Sequence, residues 1–203
     1  MKPIEFRGDS LDCLREFPRP ARREAGFQLD RVQRGLEPFD WKPMTAVGAG
    51  VREIRIRDES GSVPRALRRE ARGCSVRPSL LPEEDASHVE AGRRSWNEKI
   101  SRVAEGAEMT RKRFSSVWDA IEDSATEAAS MKLRAELANE IIERMHARKL
   151  TQSKAAELIG VTQPRISDLM RGRLNLFSLD ALVDMADRIG LRTRMVVSPK
   201  RAA

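Results

Sequence analysis

Gln163, Ser167 and Arg171 recur at every fourth position, the spacing that stacks side chains on one face of an α-helix. An amide, a hydroxyl and a guanidinium in one row form an edge of donors and acceptors at fixed intervals. A glutamine amide meets adenine through two hydrogen bonds and an arginine meets guanine likewise, each pair contributing about 1–3 kcal/mol of discrimination in a duplex major groove. Pro164 and Asp168 flank the row and Arg165 leans to its side. Gln152, Ser153, Lys154, Arg171 and Arg173 stand where side chains or a helix N-terminus would meet phosphate oxygens. With Thr162 at the start of the row, these are the residues expected to touch DNA.

The surrounding residues supply the elements that would hold such a row. Thr151 is placed to cap a short helix running to about Ile159, and Gly160 suits the left-handed position that ends it. Only Val161 intervenes before Thr162 caps a second helix, which carries Pro164 in its first turn and ends at Gly172. Two short helices joined by a tight glycine-containing turn are a helix-turn-helix. Ala155, Ala156, Leu158 and Ile159 would pack one element and Ile166, Leu169 and Met170 the other, with Ala155 allowing close approach. Helix-turn-helix segments also serve as plain structural elements. Here the paired caps, the polar outer face and the local basic excess favour DNA as partner. Ser178 opens a further helix that ends by Gly190, and residues 191–198 read as a short strand. An unpaired terminal strand is as often a dimerisation edge as half of a local hairpin. Because such domains usually bind two half-sites about 34 Å apart, a homodimer is expected.

Upstream, residues 131–148 form a long amphipathic pattern through Leu133, Leu137, Ile141, Ile142 and Met145. From Met109 onward Phe114, Val117, Trp118 and Ile121 follow helical spacing and make one apolar face. That face either packs on its own domain or docks a partner.

The chain has 203 residues, a formal charge of +7 and a pI near 10.0. That length suggests one or two domains, and the basic excess is concentrated in 109–203. No run reaches the ~18 apolar residues of a membrane span, so no membrane partner is expected. Lys2, Glu5, Arg7 and Asp9 at the start argue against a secretory signal. Cys13 and Cys74 are too few for a disulfide framework or a thiolate metal site, and a reducing cytoplasm is the simplest setting. His88 and His146 add no metal site, so no cofactor or catalytic set is expected.

Residues 1–62 read as α+β: a short extended start, a helix from Asp9 or Ser10 to about Phe17, a second over 21–36, and an alternating strand, VREIRIRD, at 51–58. The strand needs partners, and none is evident in 63–108. That stretch holds Pro64, Pro78 and Pro82, many arginines and no sustained period, as in a disordered or weakly helical linker. The expected fold is therefore mainly α. A C-terminal helix-turn-helix helical domain with a short terminal strand spans 109–203, after a fragmentary α+β part (1–62) and a poorly ordered linker (63–108).

The segment LTQSKAAELIGVTQPRISDLMRGRLNLFSLDALVDMADRIGL, with the SSVWDAIED that opens its domain, resembles the lambda-repressor/Cro-like (XRE) family, specifically HigA-type antitoxins of type II toxin–antitoxin pairs. The resemblance covers about 109–203. It implies a dimeric operator-binding protein that represses its own operon and neutralises a cognate toxin. PIEFRGDSLDCLREFP and DWKPMTAVGAGVREIRIRD resemble the N-terminal part of HigB/RelE-like toxins of the phage-Gp49-like branch, which are small mRNA endoribonucleases. That family continues with two more strands and a basic tail, and this chain departs from it after about Gly61.

The genetic code bears on the departure. Read one nucleotide later, the codons of residues 63–86 permit strands rich in β-branched and aromatic residues followed by a basic tail. Met109-Thr110, which is ATG-ACN, forces a TGA stop in that shifted frame. A frameshift joining a truncated toxin to a whole antitoxin accounts for this, with a designed linker as the alternative. Lys42, Arg52, Arg55 and Arg57 would still be able to meet RNA, but the family's catalytic contributions come largely from the missing portion. The functional expectation is a sequence-specific DNA-binding antitoxin and repressor, not an enzyme. The alternatives are an mRNA endoribonuclease toxin with residual activity, or a toxin-sequestering module without DNA binding.

Overall fold

Pro20 has no N–H to lose and tolerates the first turn of a helix. The second N-terminal helix accordingly starts at Arg19, two residues earlier than its apolar spacing predicts. The computed structural model describes residues 1–43, 52–56, 77–78 and 111–196. These are mainly helical, with short strands. β1 (Ile4–Arg7) leads into α1 (Ser10–Arg15), which buries Leu11 and Leu14, and then into α2 (Arg19–Gln33). After β2 (Trp41–Pro43), β3 (Arg52–Ile56), β4 (Arg77–Pro78) and β5 (Arg111–Phe114) come α3 (Val117–Ile121) and the long α4 (Ala125–Ala147). Three further helices close the chain: α5 (Gln152–Ile159), α6 (Gln163–Arg171) and, beyond a single 3-10 turn at Leu174–Leu176, α7 (Leu179–Arg188).

Serines start three of these helices by accepting a hydrogen bond from an orphan backbone N–H. Ser116 accepts from Trp118 N, Ser124 from Glu127 N at 3.2 Å and Ser178 from Ala181 N at 3.1 Å. Phe27, Trp118, Ile141, Ile142, Ile159 and Phe177 are fully buried in one apolar cluster that runs from Phe6 to Ile189. Residues on both sides of the chain's middle thus share a single core.

The structure corrects three expectations. First, residues 111–114 are a strand and not the start of a helix. β5 pairs antiparallel with β1, Ile4 opposite Phe114 and Arg7 opposite Arg111, and the Phe6 and Phe114 rings meet edge-on at 6.1 Å. Local periodicity cannot register a strand partner so distant in sequence. The break between strand and helix falls at Ser115 and Ser116. Second, the strand in 51–58 is not without partners: β3 pairs antiparallel with β2 and parallel with β4. Apart from residues 77–78, the expected linker at 63–108 and its alternative frame lie outside the described residues. Third, 191–196 carry no regular element, and 197–198 lie outside the described residues. On α4, Leu133 is half exposed (50%), while Ile141, Ile142 and Met145 pack inward.

Charged and amide side chains seat α2 against the C-terminal portion. Arg23 forms a two-pronged pair with Glu122, both bonds at 2.9 Å. That hydrogen bonding holds the guanidinium's pKa above its ordinary value despite the opposing effect of burial. Arg31, 3% exposed, donates to Glu37 O at 2.8 Å, Asn139 Oδ1 at 2.8 Å and Glu143 Oε1 at 3.0 Å. Desolvation outweighs Glu143 there and pushes the Arg31 pKa down from its usual value. Asp30, fully buried, accepts from the Trp118 indole N–H at 3.1 Å, Asn139 Nδ2 at 3.2 Å and Arg34 Nε at 2.6 Å. Gln33 receives Val117 N at 2.8 Å and donates to Lys2 O at 2.6 Å. A buried charge is tolerable only when so partnered.

Candidate nucleic-acid interface

Five residues make the corner between α5 and α6. Thr151 Oγ1 accepts from Lys154 N at 3.3 Å and starts α5. Gly160 takes a left-handed φ of 75°, and Val161 N donates to Ala156 O at 2.9 Å across the turn. Thr162 stands at the N-cap of α6 in extended conformation, but its side chain makes no capping bond, unlike Thr151. Pro164 lies in the first turn. At the other end Gly172 is again left-handed (φ 83°), and Arg173 N donates to Asp168 O at 3.0 Å. Ala155, Ala156 and Ile159 of α5 pack with Ile166 and Leu169 of α6, all buried, and Met170 is half-buried beside them. Leu158 instead faces solvent at 42% exposure.

The polar residues divide into two groups. Ser153, Lys154, Thr162, Gln163, Pro164 and Arg171 are exposed, and Gln152 and Ser167 are half-buried. Gln163 Nε2 donates one hydrogen to Gln152 Oε1, and Gln152 Nε2 donates to Met170 Sδ at 3.4 Å. An amide nitrogen carries two hydrogens. Gln163 therefore keeps one N–H and its carbonyl oxygen for other partners, the complement that the N7 and N6 edge of adenine presents.

The second group is occupied within the protein. Arg165, expected beside the row, donates from Nη2 to Leu176 O at 2.6 Å and lies 4.1 Å over the Phe177 ring. Arg173, expected at phosphate, is folded inward: its side chain is 11% exposed and pairs with Asp168 at 3.0 Å and Glu24 at 3.9 Å. Asp168 is thereby engaged as well. A flexible arginine two residues beyond a helix end takes a nearby acid when one is in reach, and Glu24 is supplied by α2.

That contribution of α2 is absent from any local pattern. Gln28 Nε2 donates to Arg171 O at 3.4 Å, and a Cβ added at Gly172 would lie 2.5 Å from Phe27 Cβ and Cγ. Three residues of the N-terminal portion thus hold the C-terminal end of α6. Elsewhere in that portion Arg52 stacks 4.1 Å from the Trp41 ring and pairs with Glu37 at 3.3 Å, Lys42 is exposed, and Arg57 lies outside the described residues. Among the described residues no group of His, Cys, Asp and Glu is arranged to hold a metal ion, and no helix is long and apolar enough to cross a membrane.

Two capped helices crossing at a glycine turn, the second presenting a polar outer row, are a helix-turn-helix of the DNA-binding class. Residues 120–198 match the family model described as a helix-turn-helix domain, and residues 12–67 match the one described as phage derived protein Gp49-like. Both fall in the order that the sequence resemblances anticipate. No curated protein matches the chain.

Proposed function

We propose that this chain is a sequence-specific DNA-binding repressor of the antitoxin type, acting in the cytoplasm as a homodimer on operator DNA of a toxin–antitoxin operon. Gln163 reads a base edge, Gln152 orients it, and Ser167 and Arg171 extend the reading row. Ser153, Lys154, Thr162 and Pro164 line the phosphate side. Arg165, Asp168 and Arg173 are assigned instead to holding α6 in place, given the partners they already have.

The observation that carries this reading is the Gln152–Gln163 pair. It presents one fixed donor and one acceptor at the exposed N-terminal end of α6, and restraining a side chain before contact lowers the ordering cost of binding. The Gp49-like match upstream supports the operon context. The test is selection of bound duplexes from a random pool by the purified chain. Enrichment of an inverted repeat with half-sites about one helical turn apart is expected. A pool that stays random while binding tracks only salt would refute base reading. Growth arrest on expressing the chain, with cleaved mRNA, would favour residual toxin activity instead.

A further inference from the structure

The surface of α3, α4 and the turn between them that meets α2 has the chemistry of an interface between proteins. Interfaces between separate chains are enriched in arginine and carry many polar bonds, whereas a domain interior is chiefly apolar. Here the α2 side presents Arg22, Arg23 and Arg31, and the opposite side answers with Asp123, Glu122 and Glu143. The buried groups find partners across the seam: Asp30 with Trp118 and Asn139, Gln33 with Val117 N. Close approach depends on Gly26, where an added Cβ would strike Ile121 Cδ1 and lie 3.1 Å from the Trp118 ring. α2 and α4 also fall in the two separately matched sequence regions, 12–67 and 120–198, with most of α3 lying just ahead of the second.

We propose that α3, α4 and the turn between them form a docking site for a protein helix of one pattern: a glycine three residues after an arginine and followed at four and five residues by aspartate and arginine. In this chain residues 23, 26, 30 and 31 of its own α2 fill the site. The molecule is a complex closed in cis, and it does not take such a helix from another chain. The inference does not depend on operator binding.

Cutting the full-length chain tests it. A protease site is introduced at residue 95, outside the described residues, and the chain is cleaved after folding. The two pieces are expected to elute as one particle at micromolar concentration. Arg31→Glu, which sets a buried carboxylate against Glu143, should raise their dissociation constant more than about a hundredfold. Gly26→Leu should also part them; because leucine favours helix more than glycine does, that loss cannot be assigned to unwinding of α2. In a second arm, cut and uncut chains with different tags are mixed. N-terminal pieces should exchange among cut chains and should not appear on uncut ones. Separation of the wild-type pieces, retention of both variants' pieces at wild-type strength, or capture by the uncut chain would each overturn the proposal. A cut particle that stays together but selects no duplex would sink the operator reading alone.

Discussion

The hydrogen bond between Gln163 and Gln152 makes a coupled prediction about DNA. Gln163→Ala removes both base-directed bonds and should lose about 1–3 kcal/mol at the selected operator, roughly five- to 150-fold in affinity. Gln152→Ala keeps those groups but frees them to rotate. It should cost about 0.5–1.5 kcal/mol, the net worth of one neutral hydrogen bond. With Gln163 absent there is nothing for Gln152 to orient, so the double variant should bind no more weakly than Gln163→Ala. The cycle then yields a coupling equal to the whole Gln152 effect. The assay is fluorescence anisotropy titration of the four proteins on operator and on a scrambled duplex of equal length, at one fixed salt concentration. Binding to the scrambled duplex should be unchanged across the set, since phosphate contacts carry no sequence information. Additive losses would refute the orienting role of Gln152, and equal losses on both duplexes would refute base reading by Gln163.

The remaining predictions concern the packing and the surface charges that surround α6. Phe27→Ala empties a fully buried site and should cost about 3–5 kcal/mol, lowering Tm by roughly 6–20 °C in one transition; two separated transitions would contradict a shared core. Gly172→Ala should destabilise more than Gly160→Ala, by about 1 kcal/mol or more. Both glycines are left-handed, but the new methyl would meet the buried Phe27 at one site and only the end of Arg188 at the other; equal shifts in denaturant midpoint would refute this. Lys154→Ala should flatten the salt dependence of operator binding by about 0.9 in slope. Arg173→Ala should leave that slope unchanged and lower Tm, because its guanidinium is paired with Asp168 and Glu24; the reverse pattern would restore Arg173 to the phosphate side.

The helix-turn-helix was readable because the signals that start, turn and end its two helices are local. Thr151, Gly160, Pro164 and Gly172 fall within about two dozen residues, and each acts on its own turn of backbone, whereas Thr162 holds the expected N-cap position without making the capping bond. What the sequence concealed were contacts between distant segments. Phe114 falls in helical register with Val117, Trp118 and Ile121, so it reads as helix; its strand exists because Ile4 lies opposite. Arg165 and Arg173 look available for DNA until Leu176 O, Phe177 and Glu24 are placed beside them. An arginine's reach exceeds the range over which local spacing is informative. Nor does spacing tell a face that meets solvent from one that meets the chain's own beginning. The apolar face at Trp118 admitted either its own domain or a partner, and the structure sets α2 against it.

Trp118 is fully buried beneath α2 with its indole N–H tied to Asp30. Water relaxes an excited indole and reddens its emission, so this ring glows bluer while α2 is seated and redder once α2 lifts. With Trp41 and Trp96 replaced by phenylalanine, the protein would carry its own optical gauge of closure, legible in a cuvette without a label.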